Sequence, residues 1–252
     1  MIEFINFSGK TILVTGATSG IGYEICMQIA NFNGNIIAVG RNQEKLNDLA
    51  NKMTKRIHFK GVLYDLENLD KLENLIEIIK IPIDGIVHAA GIVQLQPIKF
   101  LDMNLLNKIR TINYDSIVLI ISKLLKKKLI NKNASIIFIS SIAGEVGMKG
   151  NFIYSSTKAS LNSSAKVFAS ELSGQNIRVN CIAPGQVETT LTESVAKQVS
   201  AEAIIVDRKK YPLGYGKPED IAHLALFLLS DKSSWITGTT ITIDGGRSNI
   251  LN

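Results

Sequence analysis

The stretch Thr15–Gly22, which reads TGATSGIG, decides the fold of this chain. It follows the apolar run Thr11–Val14, whose residue types favour a β-strand. It leads into Tyr23–Asn31, where apolar residues recur at helical spacing on one face, at Ile25, Cys26, Ile29 and Ala30. The predicted order is therefore strand, glycine-rich turn and helix.

The glycine-rich turn suits a bound diphosphate for two reasons. Glycine takes positive φ angles and places no side chain between the backbone and a ligand. The helix that follows presents free N–H groups and the positive end of its dipole. Because Gly16, Gly20 and Gly22 are spaced as G-x-x-x-G-x-G rather than as G-x-G-x-x-G, a tight turn without a ligand is the alternative interpretation.

Strand-like and helix-like segments alternate along the rest of the chain, which is typical of a parallel sheet covered by helices on both faces. The predicted strands are Thr11–Thr15, Asn35–Val39, Ile57–Leu63, Gly85–His88, Ser135–Ser140, Ile177–Ile182 and Thr240–Ile243. The predicted helices are Gly22–Asn31, Gln43–Lys52, Leu69–Lys80, Leu105–Lys128, Phe152–Leu172 and Pro218–Leu229. We therefore predict an α/β fold: a Rossmann-type, doubly wound, seven-stranded parallel sheet in a single domain of residues 1–252.

The composition is that of a soluble globular protein, since 46% of the 252 residues are hydrophobic and 20% are charged. No apolar run reaches the roughly 20 residues of a membrane span, and no signal peptide is visible, so we expect a cytoplasmic protein. The net charge of +6 favours anionic small molecules or acidic partners, whereas the scattered lysines argue against nucleic acid. Cys26 and Cys181 are predicted to be buried free thiols, and no Cys/His cluster indicates a metal.

The residues after the second predicted strand indicate which dinucleotide binds, because ligands of such sheets lie at the carboxyl ends of the strands. An acidic residue there would select NAD(H) through the ribose 2′-hydroxyl. No acid occurs between Asn35 and Gln43, and Arg41 offers a guanidinium that suits a 2′-phosphate. We predict a preference for NADP(H) over NAD(H), with a solvent-facing Arg41 as the alternative.

Tyr154 and Lys158 lie four residues apart on a predicted helix. This spacing places both side chains on one face, with their Cβ atoms about 5–6 Å apart. An ammonium group near a phenol stabilises the phenolate and lowers the pKa of the phenol. Tyr154 is therefore a candidate to exchange a proton with a substrate oxygen near neutral pH.

Several motifs together resemble the short-chain dehydrogenase/reductase family. Besides the glycine turn, they are His88-Ala-Ala-Gly91, Asn113, Ser141, Tyr154, Lys158, Pro184-Gly185 and Asp244-Gly-Gly246. They occur in the order and approximate spacing of that family, over nearly the whole chain. The departure is His88, because the family's motif usually begins with asparagine; we predict that His88 packs or hydrogen-bonds at the end of its strand.

The resemblance implies a role for each matching residue. Tyr154 looks like the general acid/base, Lys158 like the residue that binds the nicotinamide ribose and lowers the tyrosine pKa, and Ser141 like the residue that orients the substrate carbonyl. Asn113 resembles the residue that holds a water in the proton relay, and Asp65 the residue that hydrogen-bonds the adenine. The other implied cofactor contacts are Gly16, Thr18, Ser19, Gly20, Ile21, Gly22, Leu66, Ala89, Ala90, Gly91, Pro184, Gly185, Val187 and Thr189.

The substrate is implied only as a small-molecule carbonyl or alcohol, free or linked to a carrier or to CoA. The resemblance extends to 3-oxoacyl-acyl-carrier-protein reductases, and their acidic carrier matches the positive charge of this chain. However, Gln175 stands where those reductases often carry a basic residue, so a keto-sugar reductase of surface polysaccharide synthesis is an alternative. We expect the segment Gln186–Tyr215 to cover the substrate.

Two further expectations concern catalysis and assembly. A non-catalytic NADP-binding scaffold is an alternative to an enzyme, and the presence of Tyr154 and Lys158 argues against it. Relatives often form homotetramers or homodimers, and we expect the same here. Leu161, Val167 and Phe168 are predicted to supply an apolar helix face beyond the core.

Overall fold

The computed structural model describes residues 5–53, 56–196 and 198–249, so the predicted domain of residues 1–252 includes short segments outside these ranges. The strands are β1 (Thr11–Thr15), β2 (Asn35–Gly40), β3 (Phe59–Leu63), β4 (Ile83–His88), β5 (Ile130–Ile139), β6 (Arg178–Pro184) and β7 (Thr240–Ile243). They form one sheet in the order β3-β2-β1-β4-β5-β6-β7, and each neighbouring pair is parallel. The predicted fold class is confirmed.

The sheet changes its direction of winding between β1 and β4. Leu13 of β1 pairs with Ile37 of β2 on one side and with Ile86 of β4 on the other. Strands β2 and β3 extend the sheet in one direction, and β4 to β7 extend it in the other. Since the carboxyl ends of all strands lie at one edge, this switch point opens a crevice there.

Helices cover both faces of the sheet. They are α1 (Gly20–Asn31), α2 (Gln43–Lys52), α3 (Leu72–Ile79), α4 (Met103–Arg110), α5 (Ser116–Lys126), α6 (Phe152–Leu172), α7 (Thr190–Ala196), α8 (Ala201–Arg208) and α9 (Pro218–Leu229). On one face α3, α5 and α6 bury Leu75, Ile120 and Leu161. On the other face α1 buries Ile25 and α9 buries Ala225. Among the described residues, no helix is long and apolar enough to cross a membrane.

The predicted helix Leu105–Lys128 is wrong in its internal geometry. The structure has α4, then a π-helical turn over Thr111–Asp115, then α5. A π turn widens the hydrogen-bonded ring by one residue and often occurs at functional sites. Apolar periodicity does not reveal it, because the chain remains helical on both sides. This π turn carries Asn113.

Other boundaries differ for local reasons. β5 begins at Ile130 rather than Ser135, because its first half carries polar residues such as Lys132 that hide a strand from the apolar pattern. The predicted helix Leu69–Lys80 begins as a 3₁₀ turn over Leu69–Lys71. The covering segment Gln186–Tyr215 contains α7 and α8, whose short lengths give little periodicity.

Two cysteine thiols and one arginine side chain are buried in the fold. Cys26 and Cys181 are buried free thiols, as predicted. Arg178 is also buried, and its guanidinium donates to the carbonyls of Leu228 at 2.7 Å and Ser230 at 3.1 Å. Its charge therefore joins β6 to the end of α9 and does not face the carboxyl edge of the sheet.

Candidate active site

The turn between β1 and α1 makes two backbone contacts that require glycine. A Cβ on Gly16 would lie 2.6 Å from the backbone nitrogen of Ala90, and a Cβ on Gly22 would collide with the carbonyl oxygen of Gly16. Gly16 and Gly20 have positive φ angles of 68° and 52°. The turn and the start of α1 thus form a cradle without side chains, and such a cradle fits a dinucleotide diphosphate.

Residues from three strand ends meet at this cradle. A Cβ on Gly40, the last residue of β2, would lie 2.5 Å from Cγ2 of Thr18. A Cβ on Gly20 would lie 3.1 Å from Cγ2 of Thr189, which follows β6. The structure therefore brings together the predicted cofactor contacts Gly16, Thr18, Ser19, Gly20, Ile21, Gly22 and Thr189.

A cavity of about 420 Å³ lies beside the ends of β2 and β3. Arg41 and Asp65, predicted to contact the 2′-phosphate and the adenine, both line it. Lys71 lines it as a second cation, and no motif predicts Lys71, because it lies in an irregular 3₁₀ turn. Leu66 instead packs its side chain in the hydrophobic core.

The loop after β4 lies between the cradle and the predicted catalytic side chains. The backbone N–H of Ala89 donates to the carbonyl of Thr15 at 3.2 Å, which ties this loop to β1. A Cβ on Gly91 would lie 3.5 Å from Nζ of Lys158 and 3.6 Å from Oδ1 of Asn113. The predicted cofactor contacts Ala89, Ala90 and Gly91 therefore adjoin both the cradle and the predicted catalytic side chains.

Tyr154, Lys158 and Ser141 come together from α6 and the end of β5. Nζ of Lys158 lies 5.4 Å from the centre of the Tyr154 ring and donates to the carbonyl of Ile139 at 2.7 Å. Ser141 follows β5, and it hydrogen-bonds to the Tyr154 side chain. The phenol and the hydroxyl can therefore reach one substrate oxygen, with the ammonium group beside the phenol ring.

Asn113 is buried in the π turn and reaches α6 from the side. Its Nδ2 donates to Oγ1 of Thr157 at 3.2 Å, one residue before Lys158. No motif predicts Thr157, although its place three residues after Tyr154 on the same helix is a signal for contact. His88, predicted to pack or hydrogen-bond at its strand end, is fully buried and hydrogen-bonds to Thr15 and Asn113.

Burial determines the protonation of Tyr154 and Lys158. It raises the pKa of Tyr154 to about 12, while the Ser141 hydrogen bond acts in the opposite direction. It lowers the pKa of Lys158 to about 8. The predicted lowering of the tyrosine pKa is wrong for this structure, because the cost of burying a phenolate exceeds its stabilisation by neighbours. Tyr154 is therefore a protonated phenol at neutral pH and can donate a proton.

The segment after β6 completes the edge of the site. The backbone N–H of Gly185 donates to the carbonyl of Ile243 at 3.0 Å, and a Cβ on Gly185 would lie 2.9 Å from Cβ of Asp244. Val187 is buried, and its carbonyl accepts a hydrogen bond from Oγ1 of Thr192 at 2.8 Å. The remaining predicted cofactor contacts therefore lie on one fixed segment at the carboxyl edge: Pro184, Gly185, Val187 and Thr189.

Similar sequences span nearly the whole chain. A family model described as enoyl-(acyl carrier protein) reductase matches residues 16–248. The 3-oxoacyl-[acyl-carrier-protein] reductase of Rickettsia felis is 36% identical over 245 residues, which cover 96% of this chain and 98% of the relative. A tropinone reductase homologue of Arabidopsis thaliana is 34% identical over 250 residues, which cover 96% and 93%.

Solved structures share the fold at similar coverage. A short-chain dehydrogenase family protein from Francisella tularensis has a TM-score of 0.84 at 29% identity, covering 96% of this chain and 99% of that one. A Beutenbergia cavernae protein described as an NAD(P)-dependent gluconate 5-dehydrogenase, with NADP bound at low occupancy, has a TM-score of 0.86 at 26% identity, covering 97% and 99%. The chain therefore shares its overall fold with solved proteins of the short-chain dehydrogenase type.

We expect Gly22→Ala to weaken dinucleotide binding at least about tenfold, because the new methyl group displaces the carbonyl of Gly16 and deforms the cradle. Fluorescence titration with NADPH measures the dissociation constant, and circular dichroism reports whether the variant is folded. Gly174→Ala is the matched control, since a Cβ there has no heavy atom within 4 Å. A folded Gly22→Ala protein with unchanged affinity would contradict the assigned cradle.

Proposed function

This chain belongs to the short-chain dehydrogenase/reductase family, and from that premise we propose that it uses NADP(H) to interconvert a carbonyl and an alcohol with Tyr154 as the acid/base. The observation that carries the proposal is the convergence of Tyr154, Lys158 and Ser141 at the sheet edge that also bears the glycine cradle. The oxidoreductase class follows from the family.

The residues at the carboxyl edge fit a dinucleotide in an extended arrangement. The cradle Gly16–Gly22 would hold the diphosphate through backbone N–H groups at the start of α1. Arg41 would hold the 2′-phosphate and Asp65 the adenine, because both line one cavity next to the cradle. When bound, the nicotinamide supplies the hydride that reduces the carbonyl carbon.

Tyr154 supplies the proton that this reduction requires. The protonated phenol donates to the carbonyl oxygen as the carbon–oxygen double bond becomes a single bond, and an alcohol results. Ser141 orients that oxygen with its hydroxyl group. Lys158, which is positively charged below about pH 8, faces the tyrosine ring and stabilises the phenolate that remains. In the reverse direction, the phenolate accepts the alcohol proton.

The preference for NADP(H) rests on charge at the adenine end of the site. Arg41 and Lys71 line the same cavity, so two cations are available to a 2′-phosphate. β2 ends without the acidic residue that would bind a ribose 2′-hydroxyl. The gluconate dehydrogenase-like structure with bound NADP supports the same cofactor.

For the substrate we propose a 3-oxoacyl thioester, as in the 3-oxoacyl-[acyl-carrier-protein] reductases that this chain matches over nearly its full length. The net charge of +6 suits an acidic carrier. A keto-sugar is the second candidate, and Gln175 favours it, because this exposed residue offers no positive charge where those reductases often have one. The gluconate dehydrogenase-like neighbour also supports the second candidate.

We infer assembly into a homodimer or homotetramer through α6, with a smaller apolar face than the sequence predicts. Leu161 is fully buried in the core and therefore not available to a partner, whereas Phe168 packs against the core and is partly buried. Val167 is 50% exposed and Phe152 is 47% exposed on the same helix. These two residues supply the apolar surface that an interface on α6 would use.

We expect the wild-type protein to oxidise NADPH in the presence of an acetoacetyl thioester, and Tyr154→Phe to lower kcat at least about 100-fold because no proton donor remains. Absorbance at the NADPH band measures turnover, with a panel of keto-sugars tested in parallel. Turnover of keto-sugars alone would overturn the thioester proposal. NADPH binding without turnover of either set, unchanged by Tyr154→Phe, would favour the non-catalytic scaffold.

Arg41→Ala should weaken NADPH binding at least about tenfold and leave NADH binding within about twofold, because it removes a charge that only a 2′-phosphate needs. Lys132→Ala is the matched control: it removes a charge near the start of β5, at the opposite edge of the sheet. Titration of each variant with both dinucleotides gives the ratio of affinities. An unchanged NADPH/NADH ratio in Arg41→Ala would show that Arg41 does not select the cofactor.

The rate of carbonyl reduction should fall as the pH rises through about 8, where Lys158 loses its proton. The direction follows from charge, because the phenolate left on Tyr154 is stabilised by an ammonium group and not by a neutral amine. Tyr154, with a pKa raised to about 12, remains protonated over that range. Profiles of kcat against pH for wild type and Lys158→Met measure this; a fall near pH 8 that persists in Lys158→Met would refute the assignment.

A further inference from the structure

His88 occupies the switch point of the sheet and is the last residue of β4. It pairs with Thr15 of β1 on one side and with Phe138 of β5 on the other. Its side chain is fully buried. A buried imidazole must satisfy both ring nitrogens or lose hydrogen bonds that water would provide.

The partners of the ring nitrogens determine its tautomer. Nε2 lies 3.1 Å from the carbonyl oxygen of Asn113, and Nδ1 lies 2.8 Å from Oγ1 of Thr15. A carbonyl only accepts, so Nε2 must carry the proton and donate it, and Nδ1 must accept from the Thr15 hydroxyl. Burial and the charge of Lys158 lower the pKa of His88 to about 3, so the ring is neutral at all physiological pH values.

The carbonyl that His88 contacts belongs to the π turn. Within this turn, Thr111–Asp115, the regular α-helical hydrogen-bonding pattern is interrupted. The Nε2–H group of His88 supplies a donor from β4 to the backbone of Asn113 at this interruption. The imidazole therefore connects the sheet edge to the place where α4 and α5 are joined.

The side chain of Asn113 links the π turn to the loop after β4 and to α6. Its Oδ1 accepts from the backbone N–H of Ile92 at 2.8 Å, and its Nδ2 donates to the carbonyl of Ile92 at 3.0 Å and to Oγ1 of Thr157 at 3.2 Å. Gly91 lies beside both Asn113 and Lys158, since a Cβ built on it would lie 3.6 Å from Oδ1 of Asn113 and 3.5 Å from Nζ of Lys158. A displaced Asn113 would therefore move both the loop after β4 and the turn of α6 that carries Lys158.

We propose that His88 is a positioning residue: its Nε2–H group holds the Asn113 carbonyl, and through Asn113 it aligns the loop after β4 and Lys158 for proton transfer at Tyr154. The effect on turnover rests on the proposed function. The tautomer and the contact to Asn113 do not, and they can be tested without a substrate.

Two substitutions at position 88 test the hydrogen bond to Asn113. The amide of Gln falls near Nε2 of a histidine and can donate to Asn113. Leu makes no hydrogen bond. We expect His88→Gln to keep kcat within about threefold of wild type and His88→Leu to lower kcat at least about tenfold, with KM for NADPH within about twofold in both variants.

A purely structural role of His88 predicts a different result for these variants. It would lower the melting temperature in both variants while leaving kcat of the folded protein unchanged at low temperature. Activity retained in His88→Leu, or lost in His88→Gln as fully as in His88→Leu, overturns the proposal. Melting temperatures and NADPH titrations on the same samples show whether each variant is folded and binds the cofactor.

The substrate-independent test is ¹⁵N NMR of the histidine rings in the full chain. His88→Gln assigns the His88 signals among the three histidines of the sequence. We expect a protonated Nε2 and an unprotonated Nδ1 that do not change between about pH 5 and about pH 8. A protonated Nδ1, or a titration within that range, overturns the proposal even if the enzyme is active, and a failed activity assay leaves this readout intact.

Discussion

The close approach of Gly16 to the loop after β4 is the contact on which the rest of the site depends. The absence of a Cβ at Gly16 lets β1 and β4 end in direct backbone contact, with Ala90 against the turn. This contact sits at the point where the sheet changes its direction of winding, so the crevice opens above it. Any side chain there would separate the cradle from the loop that leads to Asn113 and Lys158.

Most of the site is held by backbone groups rather than by pairs of charged side chains. Lys158 donates to the carbonyl of Ile139, and Asn113 binds both backbone groups of Ile92. Such contacts depend on where strands and turns end, so the geometry of the site follows from the geometry of the sheet edge. Lys158 is thereby fixed next to Tyr154 without a carboxylate partner among the described residues, and burial lowers its pKa to about 8.

The fold, and the placement of most candidate site residues at one edge of the sheet, could be predicted from the sequence, because glycine spacing and buried strands leave strong local signals. The predicted contacts at Gly16, Arg41 and Tyr154 lie at the carboxyl edge, as parallel topology requires. The π turn around Asn113 could not be predicted, since a single wider turn does not disturb apolar periodicity. The raised pKa of Tyr154 depends on desolvation, which sequence spacing does not report.

At the adenine end of the site, the sequence also fails to predict where the side chains of Lys71 and Leu66 lie. Lys71 lines the cavity from a 3₁₀ turn. Its position follows from the path of the chain through this turn, and no sequence motif marks it. Leu66 follows Asp65 in sequence, yet its side chain packs in the core. Two adjacent residues after β3 therefore point one side chain to the cavity and the other to the core, and the sequence alone does not distinguish them.

The measurement that tests the account most directly is a crystal structure of the protein with NADP⁺. We predict that the diphosphate lies against the backbone of Gly16–Gly22. The 2′-phosphate should lie within hydrogen-bond distance of Arg41, and the nicotinamide should lie next to the Tyr154 hydroxyl. A dinucleotide bound elsewhere, or one whose nicotinamide lies beyond reach of a substrate that contacts Tyr154, would contradict it.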